Sequence, residues 1–312
     1  MAALLAVAAT ALTACGSGGS ESTASSRATT SSTSAGCTTD STVNAPAVSL
    51  LPIPPAAVTV DDPGVEPRVV TAASADNTSP QRVVLRTSST STSAGPGRPA
   101  ENRDQSVELG LTARFLCTDP TDVELALDSA TSPEPGLASS LRKVVGSRAG
   151  LAVASGSVPG ALRLLPAAEA DDAARSAVEQ SLLQALTQSV TLPTVPIGVG
   201  ARWRAVRTVS GGATVTQTLT ATLRARSGNR LTVDVAIDEE PVNSVFVVPG
   251  TDTTLTIAAY SSSGTGTVTL DLSRGLPVDG GLTVSGGRSL VGADPNAPLL
   301  QRTSFSARWQ SR

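Results

Sequence analysis

The chain has 312 residues, 40% of them apolar but only 2% aromatic, and a formal charge of −3. That length and apolar content support one large domain or two closely packed halves, with a core built from Val, Leu and Ala. Histidine is absent, which excludes serine–histidine and cysteine–histidine nucleophile pairs, and 23 basic against 26 acidic residues leave no positive surplus for a nucleic-acid partner.

Residues 2–14 are uncharged and rich in Ala, Leu and Val. A run of about 13 residues is too short to cross a bilayer, which takes roughly 20, and suits the apolar part of a secretory signal. It ends in Leu12-Thr13-Ala14-Cys15, which resembles a bacterial lipobox: a branched residue, two small residues that leave the backbone open to a peptidase, then the cysteine that is lipidated. No Lys or Arg precedes the run, a departure from the usual charged start of such signals. The expectation is a signal peptide over 1–14 and a lipidated Cys15. Several acyl chains, at about 0.8 kcal/mol per buried methylene, would hold the protein to the outer face of the plasma membrane.

Residues 16–36 are Gly, Ser, Thr and Ala apart from Glu21 and Arg27. Such a segment buries too little apolar surface to order itself and reads as part of a tether over 15–42, its 16–36 stretch reaching about 25 Å as a random coil. The Ser/Thr-rich stretch 88–99 reads as a second spacer of the same kind. With Cys15 committed to lipid, Cys37 and Cys117 remain as an even pair, suited to a disulfide in an oxidising compartment. Two lone thiols without histidine make a poor zinc site.

From 43 to 312 the dominant pattern is period-two alternation. Val107, Leu109, Leu111, Ala113, Phe115 and Cys117 share one strand face, and Val123, Leu125 and Leu127 share another after the turn at 118–122. A helix is expected over "PGLASSLRKVVG", where Leu137, Leu141, Val144 and Val145 are helically spaced and Gly146 terminates. A longer helix follows Pro166 and runs to about Val190, with Asp171 and Asp172 at its positive end and Ala174, Val178, Leu182, Ala185 and Leu186 as its apolar stripe. Strands then resume at Val215, Leu219, Ala221, Leu223 and Ala225, turn at "SGNR", and return through Leu231, Val233, Val235 and Ile237. Leu255 and Ile257 are expected to precede a Gly-rich turn, with Val268, Leu270 and Leu272 after it and Phe305, Ala307 and Trp309 closing the chain. Short turns imply an antiparallel meander. The fold class is α+β: mainly antiparallel, curved β-sheet with two or three covering helices.

"LPTVPIGVGARW" (192–203) and "SGTGTVTLDLSRGLP" (263–277) resemble recurring stretches in an uncharacterised family of actinobacterial lipoproteins. The resemblance covers most of 80–312 and implies an architecture similar to the cupped half-barrel of bacterial lipoprotein and lipid carriers, with no catalytic residue to carry over. The stretch 155–166 echoes the second motif, which suggests a duplicated half-barrel with halves 80–191 and 192–312.

Four patterns invite chemistry and are better explained without it. Ser140-Leu141-Arg142-Lys143 matches the S-x-x-K of penicillin-recognising enzymes, but Lys143 is the sole lysine, so the second lysine motif of that site is missing. Gly264-Thr265-Gly266 lacks the third glycine of a dinucleotide loop. Asp238-Glu239-Glu240 reads as a solvated turn, and Arg202, Arg204, Arg224 and Arg226 read as a solvated strand face. The sequence therefore implies no catalytic residue, cofactor or metal. It implies a non-enzymatic envelope protein, anchored by lipid, that binds an apolar or amphiphilic ligand or an envelope partner. The alternative is an accessory protein with a solid core. Ala221 and Val233, on the inward face, are where a pocket wall is expected.

Overall fold

The computed structural model describes residues 36–42, 45–46, 48–154 and 156–312. The signal, Cys15 and most of the tether lie outside them. Three short strands come first, β1 (Cys37–Thr38), β2 (Ser49–Pro52) and β3 (Ala57–Asp62). A meander of β4 (Gln81–Ala94), β5 (Glu101–Leu116) and β6 (Asp119–Thr131) leads to α1 (Pro135–Leu141), then β7 (Arg148–Ala154), β8 (Val158–Leu165) and α2 (Asp172–Thr187). The rest is β9 (Arg202–Val209), β10 (Val215–Ser227), β11 (Arg230–Pro241), β12 (Val245–Val247), β13 (Thr254–Asp271), β14 (Asp279–Val291) and β15 (Leu299–Ser311).

The alternation expected in β5, β6, β10 and β11 is what buries them. Val107, Leu109, Leu111, Ala113 and Phe115 are buried on one face, as are Leu219, Ala221 and Leu223, paired across β11 with Ile237, Val235 and Val233. Ala225 leaves the pattern because a bulge falls between it and Leu223, and it is exposed. α2 begins at Asp171, not at Pro166: the Asp171 carboxylate accepts from the Ala174 amide at 3.0 Å, an N-cap that the following apolar stripe then continues. All five expected stripe residues are buried. α1 is shorter than expected and passes into a 3₁₀ turn at Arg142–Val144, which leaves Val145 43% exposed.

Two expectations are overturned. Residues 88–94 are not a spacer; they are the second half of β4, hydrogen-bonded to β5 on one side and β15 on the other. A Ser/Thr strand needs no alternation of its own when both neighbours supply its partners. The Gly-rich turn after Ile257 is likewise absent, and β13 runs unbroken from Thr254 to Asp271. Gly264 and Gly266 are there because a Cβ would stand 2.5 Å from the Thr283 carbonyl oxygen and 2.2 Å from that of Gly281.

The strands form one open sheet in the order β2-β8-β7-β6-β5-β4-β15-β14-β13-β11-β10-β9-β3, with β1 on β5 and β12 on β13. Every pairing is antiparallel except β1 with β5. Each half of the chain is a meander running in the same sense across the sheet, and β15 closes against β4 to join them. β2 and β3 remain as free edges, so the sheet is not a barrel. It is nonetheless strongly curved: β6, β7 and the end of β13 line one cavity, although β7 and β13 would lie about 29 Å apart in a flat sheet at 4.8 Å per strand. α2 packs on the inner face of β4–β8 and β15 in one core cluster. Trp203, Ile197 and Leu192 fill the inner face of β9–β14 in a second.

Candidate functional site

A cavity of about 700 Å³ lies where the sheet curls. One wall is Phe115, Val123, Leu151 and Val153 from β5–β7, and Leu186 and Val190 at the end of α2 close its floor. The facing wall is Leu270 and the loop after β13, through Leu272 and Leu276. Across the opening runs an extended segment carrying Val70, Ala72, Ala73 and Ala75. Apolar walls of this size suit a small-molecule site, where few polar groups fix orientation.

The segment over the opening is tied down at both ends. Val69 and Ile197 exchange backbone hydrogen bonds at 3.0 and 3.1 Å, and the Thr71 hydroxyl donates to the Pro193 carbonyl at 2.6 Å. Further along, the Ser74 amide donates to Leu272 at 2.8 Å and that of Asp76 to Ser273 at 3.1 Å. The facing loop is held as firmly: Gln81 donates to the Leu276 carbonyl at 2.8 Å and accepts from the Leu276 amide at 3.0 Å. Beside the opening the surface is apolar, with Val65, Val69, Val70, Val195 and Val199 all between 41% and 64% exposed.

Two of the charges at the rim neutralise each other. Arg274 pairs with Asp76 at 3.0 Å and donates to the Ser79 carbonyl at 2.8 Å. Hydrogen bonds from Thr78, more than Arg274, hold the Asp76 carboxyl below its ordinary pKa. Asp271 accepts from the Ser273 amide and hydroxyl at 2.9 and 2.6 Å on its Oδ1, capping the loop. The cavity therefore favours an apolar group inside it.

Cys37 and Cys117 form a disulfide, with Cα atoms 5.0 Å apart and a sequence separation of 80. Cys117 lies three residues before Pro120 of the cavity wall, so the bond fastens the start of the folded body next to the opening. Thr42 adds a second fastening: its amide donates at 2.6 Å to the Glu124 carboxylate on β6, and its hydroxyl donates to the other oxygen. Cys15 lies outside the described residues.

The other sequence candidates fall elsewhere. Ala221 and Val233 are fully buried in the second core cluster, where Trp203 is the cross-strand neighbour of Ala221, and neither lines the cavity. Lys143 pairs with Asp171 at 3.2 Å, which ties the 3₁₀ turn to the cap of α2. Asp238-Glu239-Glu240 is part of β11 and not a turn; Glu239 faces inward and accepts from Gln217 at 2.8 Å and Tyr260 at 3.1 Å. Burial first, then the Glu239 charge, pushes the Tyr260 hydroxyl up to about 12. Arg202, Arg204 and Arg224 lie on the outer face in exposed pairs with Asp62, Asp61 and Asp234, and Arg226 donates to the Gly228 carbonyl.

One residue escaped the sequence reading. Arg207 continues the inward register of Trp203 and Ala205 and is 3% exposed, and burial lowers its pKa to about 10. A charged residue in an inward-facing position of an alternating strand was the available signal.

No family model and no curated protein matches the chain. Among solved structures it is similar to lipovitellin, in a structure concerned with that protein's lipid–protein interactions, at 10% identity and a TM-score of 0.40. The match covers 75% of this chain and 25% of the other, so the chain spans a quarter of lipovitellin's length. A likeness at this level carries nothing further about the chain.

Proposed function

We propose that this chain is a non-catalytic extracytoplasmic lipoprotein, anchored through Cys15, that holds an apolar or amphiphilic ligand in the cavity between β5–β7 and the end of β13. The observation that carries the reading is a space of about 700 Å³ with apolar walls, at whose rim Arg274 and Asp76 neutralise each other. Buried apolar surface then provides the affinity, at roughly 25 cal/mol per Å² removed from water. The anchoring half of the proposal rests on the lipobox-like Leu12–Cys15 and on the resemblance of residues 192–203 and 263–277 to stretches of a lipoprotein family.

Native mass spectrometry of the purified protein, followed by organic extraction, tests the ligand. Val153 is half-buried on the cavity wall, so Val153→Trp fills the space without entering a packed core. The expected result is a mass adduct in the native protein that the variant lacks, at nearly unchanged stability. A native protein with no adduct, together with the loss of about 1–3 kcal/mol that overpacking a solid interior causes, would reject the cavity as a ligand site.

A further inference from the structure

The inner face changes character along the strands. One register row crosses the sheet through Leu219, Ile237, Gly264, Val284, Phe305, Ser89 and Gln105, without a polar side chain as far as Phe305 and polar beyond it. Two residues away in each strand, and so on the same face, the next row runs through Gln217, Glu239, Ser262, Gly286, Thr303, Ser91 and Arg103 and holds no apolar side chain larger than glycine. The inner face is thus polar on both rows in β4 and β5, and turns polar one row later in β10, β11 and β15.

Opposite this polar row stands one face of α2. Gln180, Gln184 and Gln188 are spaced four apart, which stacks them in a line. Between helix and row lies a groove of about 600 Å³, lined by the three glutamines, Glu239, Ser262, Thr303, Ser91 and Arg103, with Phe305 at its base. It is a different space from the apolar cavity, from which the last turn of α2 divides it: Leu186, Ser189 and Val190 line the cavity, and Gln188 lines the groove.

Exposure falls along the glutamine line, from exposed Gln180 through half-buried Gln184 to Gln188 at 9%. At that closed end the Gln188 Oε1 has no hydrogen-bond partner among the described residues. A buried carbonyl oxygen left so costs about 1–3 kcal/mol; it is closed off from the groove, which meets the rest of the Gln188 side chain.

The chemistry of the lining selects the class of ligand that the groove suits. Primary amides offer both donors and acceptors, as do the Ser and Thr hydroxyls. Charge is nearly balanced, with Arg103 against Asp104 and Glu239, and Glu239 is already held by Gln217 and Tyr260. An anion would find one exposed arginine and two carboxylates. An apolar chain would find few walls. A neutral molecule rich in hydroxyls matches the amides and hydroxyls of this lining. We propose that this groove is a carbohydrate-binding site, which takes a short neutral oligosaccharide independently of any ligand in the apolar cavity.

Saturation-transfer NMR on the purified full chain tests this, with short malto-, cello-, xylo- and mannooligosaccharides as probes and a fluorescent fatty acid as the probe of the cavity. At least one saccharide class should bind. Gln184→Ala and Gln188→Leu should each weaken it about tenfold, the loss of one to two hydrogen bonds, with fatty-acid binding unchanged. Gln180→Ala, at the exposed end, should weaken it as well and serves if Gln188→Leu folds poorly. Three results would overturn the proposal: no saccharide binding, binding indifferent to all three substitutions, or binding confined to charged saccharides. Failure of the fatty acid to bind counts against the cavity alone.

Discussion

Removing the Cys37–Cys117 bond has a magnitude that can be worked from its place in the chain. The bond closes a loop of 80 residues, for which the chain-entropy relation gives about 4.5 kcal/mol at 25 °C. Little else holds β1 to the body: it is two residues long and contributes the Thr38 carbonyl as acceptor for the Cys117 amide at 2.8 Å. With an unfolding entropy of about 2.1 cal/mol/K per residue over about 270 ordered residues, 4.5 kcal/mol corresponds to a fall in Tm of about 8 °C. The perturbation is the double variant Cys37→Ala/Cys117→Ala, which leaves no stray thiol. Differential scanning calorimetry without reductant should show the fall, and the native protein should move to the same Tm when reduced. The urea m value should rise, because the uncrosslinked chain exposes more surface when unfolded. Free thiols in freshly purified native protein, or a double variant within about 2 °C of native, would refute the reasoning. The second result would mean that the unfolded chain stays compact around residues 37–117 without its crosslink.

Two further outcomes are expected. Cys15→Ala should release the protein from membranes into the supernatant and abolish metabolic labelling by a fatty acid; retention without label in the native protein counts against the anchor. Glu124→Gln should raise Tm at about pH 7 and give no gain near pH 3, because burial raises this carboxyl above its unfolded value, so the native state binds the extra proton. Stability linked to Glu124 is thus present below the ordinary glutamate pKa, about 4.3, and is lost as pH rises through the higher folded value. A melting curve for Glu124→Gln that tracks the native protein across that window would show that Thr42 compensates the buried charge fully.

The sheet was legible wherever one face of a strand meets the core and the other meets water, since burial then writes itself as alternation. β5, β10 and β11 are of this kind. The outer half of β4 is not: Ser88–Ala94 carries no large apolar side chain of its own, and its strand character comes from β5 on one side and, on the other, from β15, some 200 residues away in the chain. The same locality explains β13, whose glycines look like a turn in isolation and are close-approach positions once β14 is beside them.

The cavity posed a different problem, because hollow and solid interiors are built from the same residues. Val, Leu and Ala line the second core cluster as they line the cavity; what separates the two is Trp203, fully buried with its indole N–H donating to the Thr191 carbonyl at 2.8 Å. One bulky side chain placed from β9 fills the inner face there. At the other end of the sheet the largest inward residue near the opening is Phe115, and the curl that brings β13 opposite β6 leaves a space it does not fill. Its two walls lie six places apart in the strand order, on either side of the β15–β4 pairing that joins the two meanders. No local pattern encodes that pairing. Sequence alternation therefore identifies an inner face, and only the long-range pairing determines which part of it is left open to a ligand.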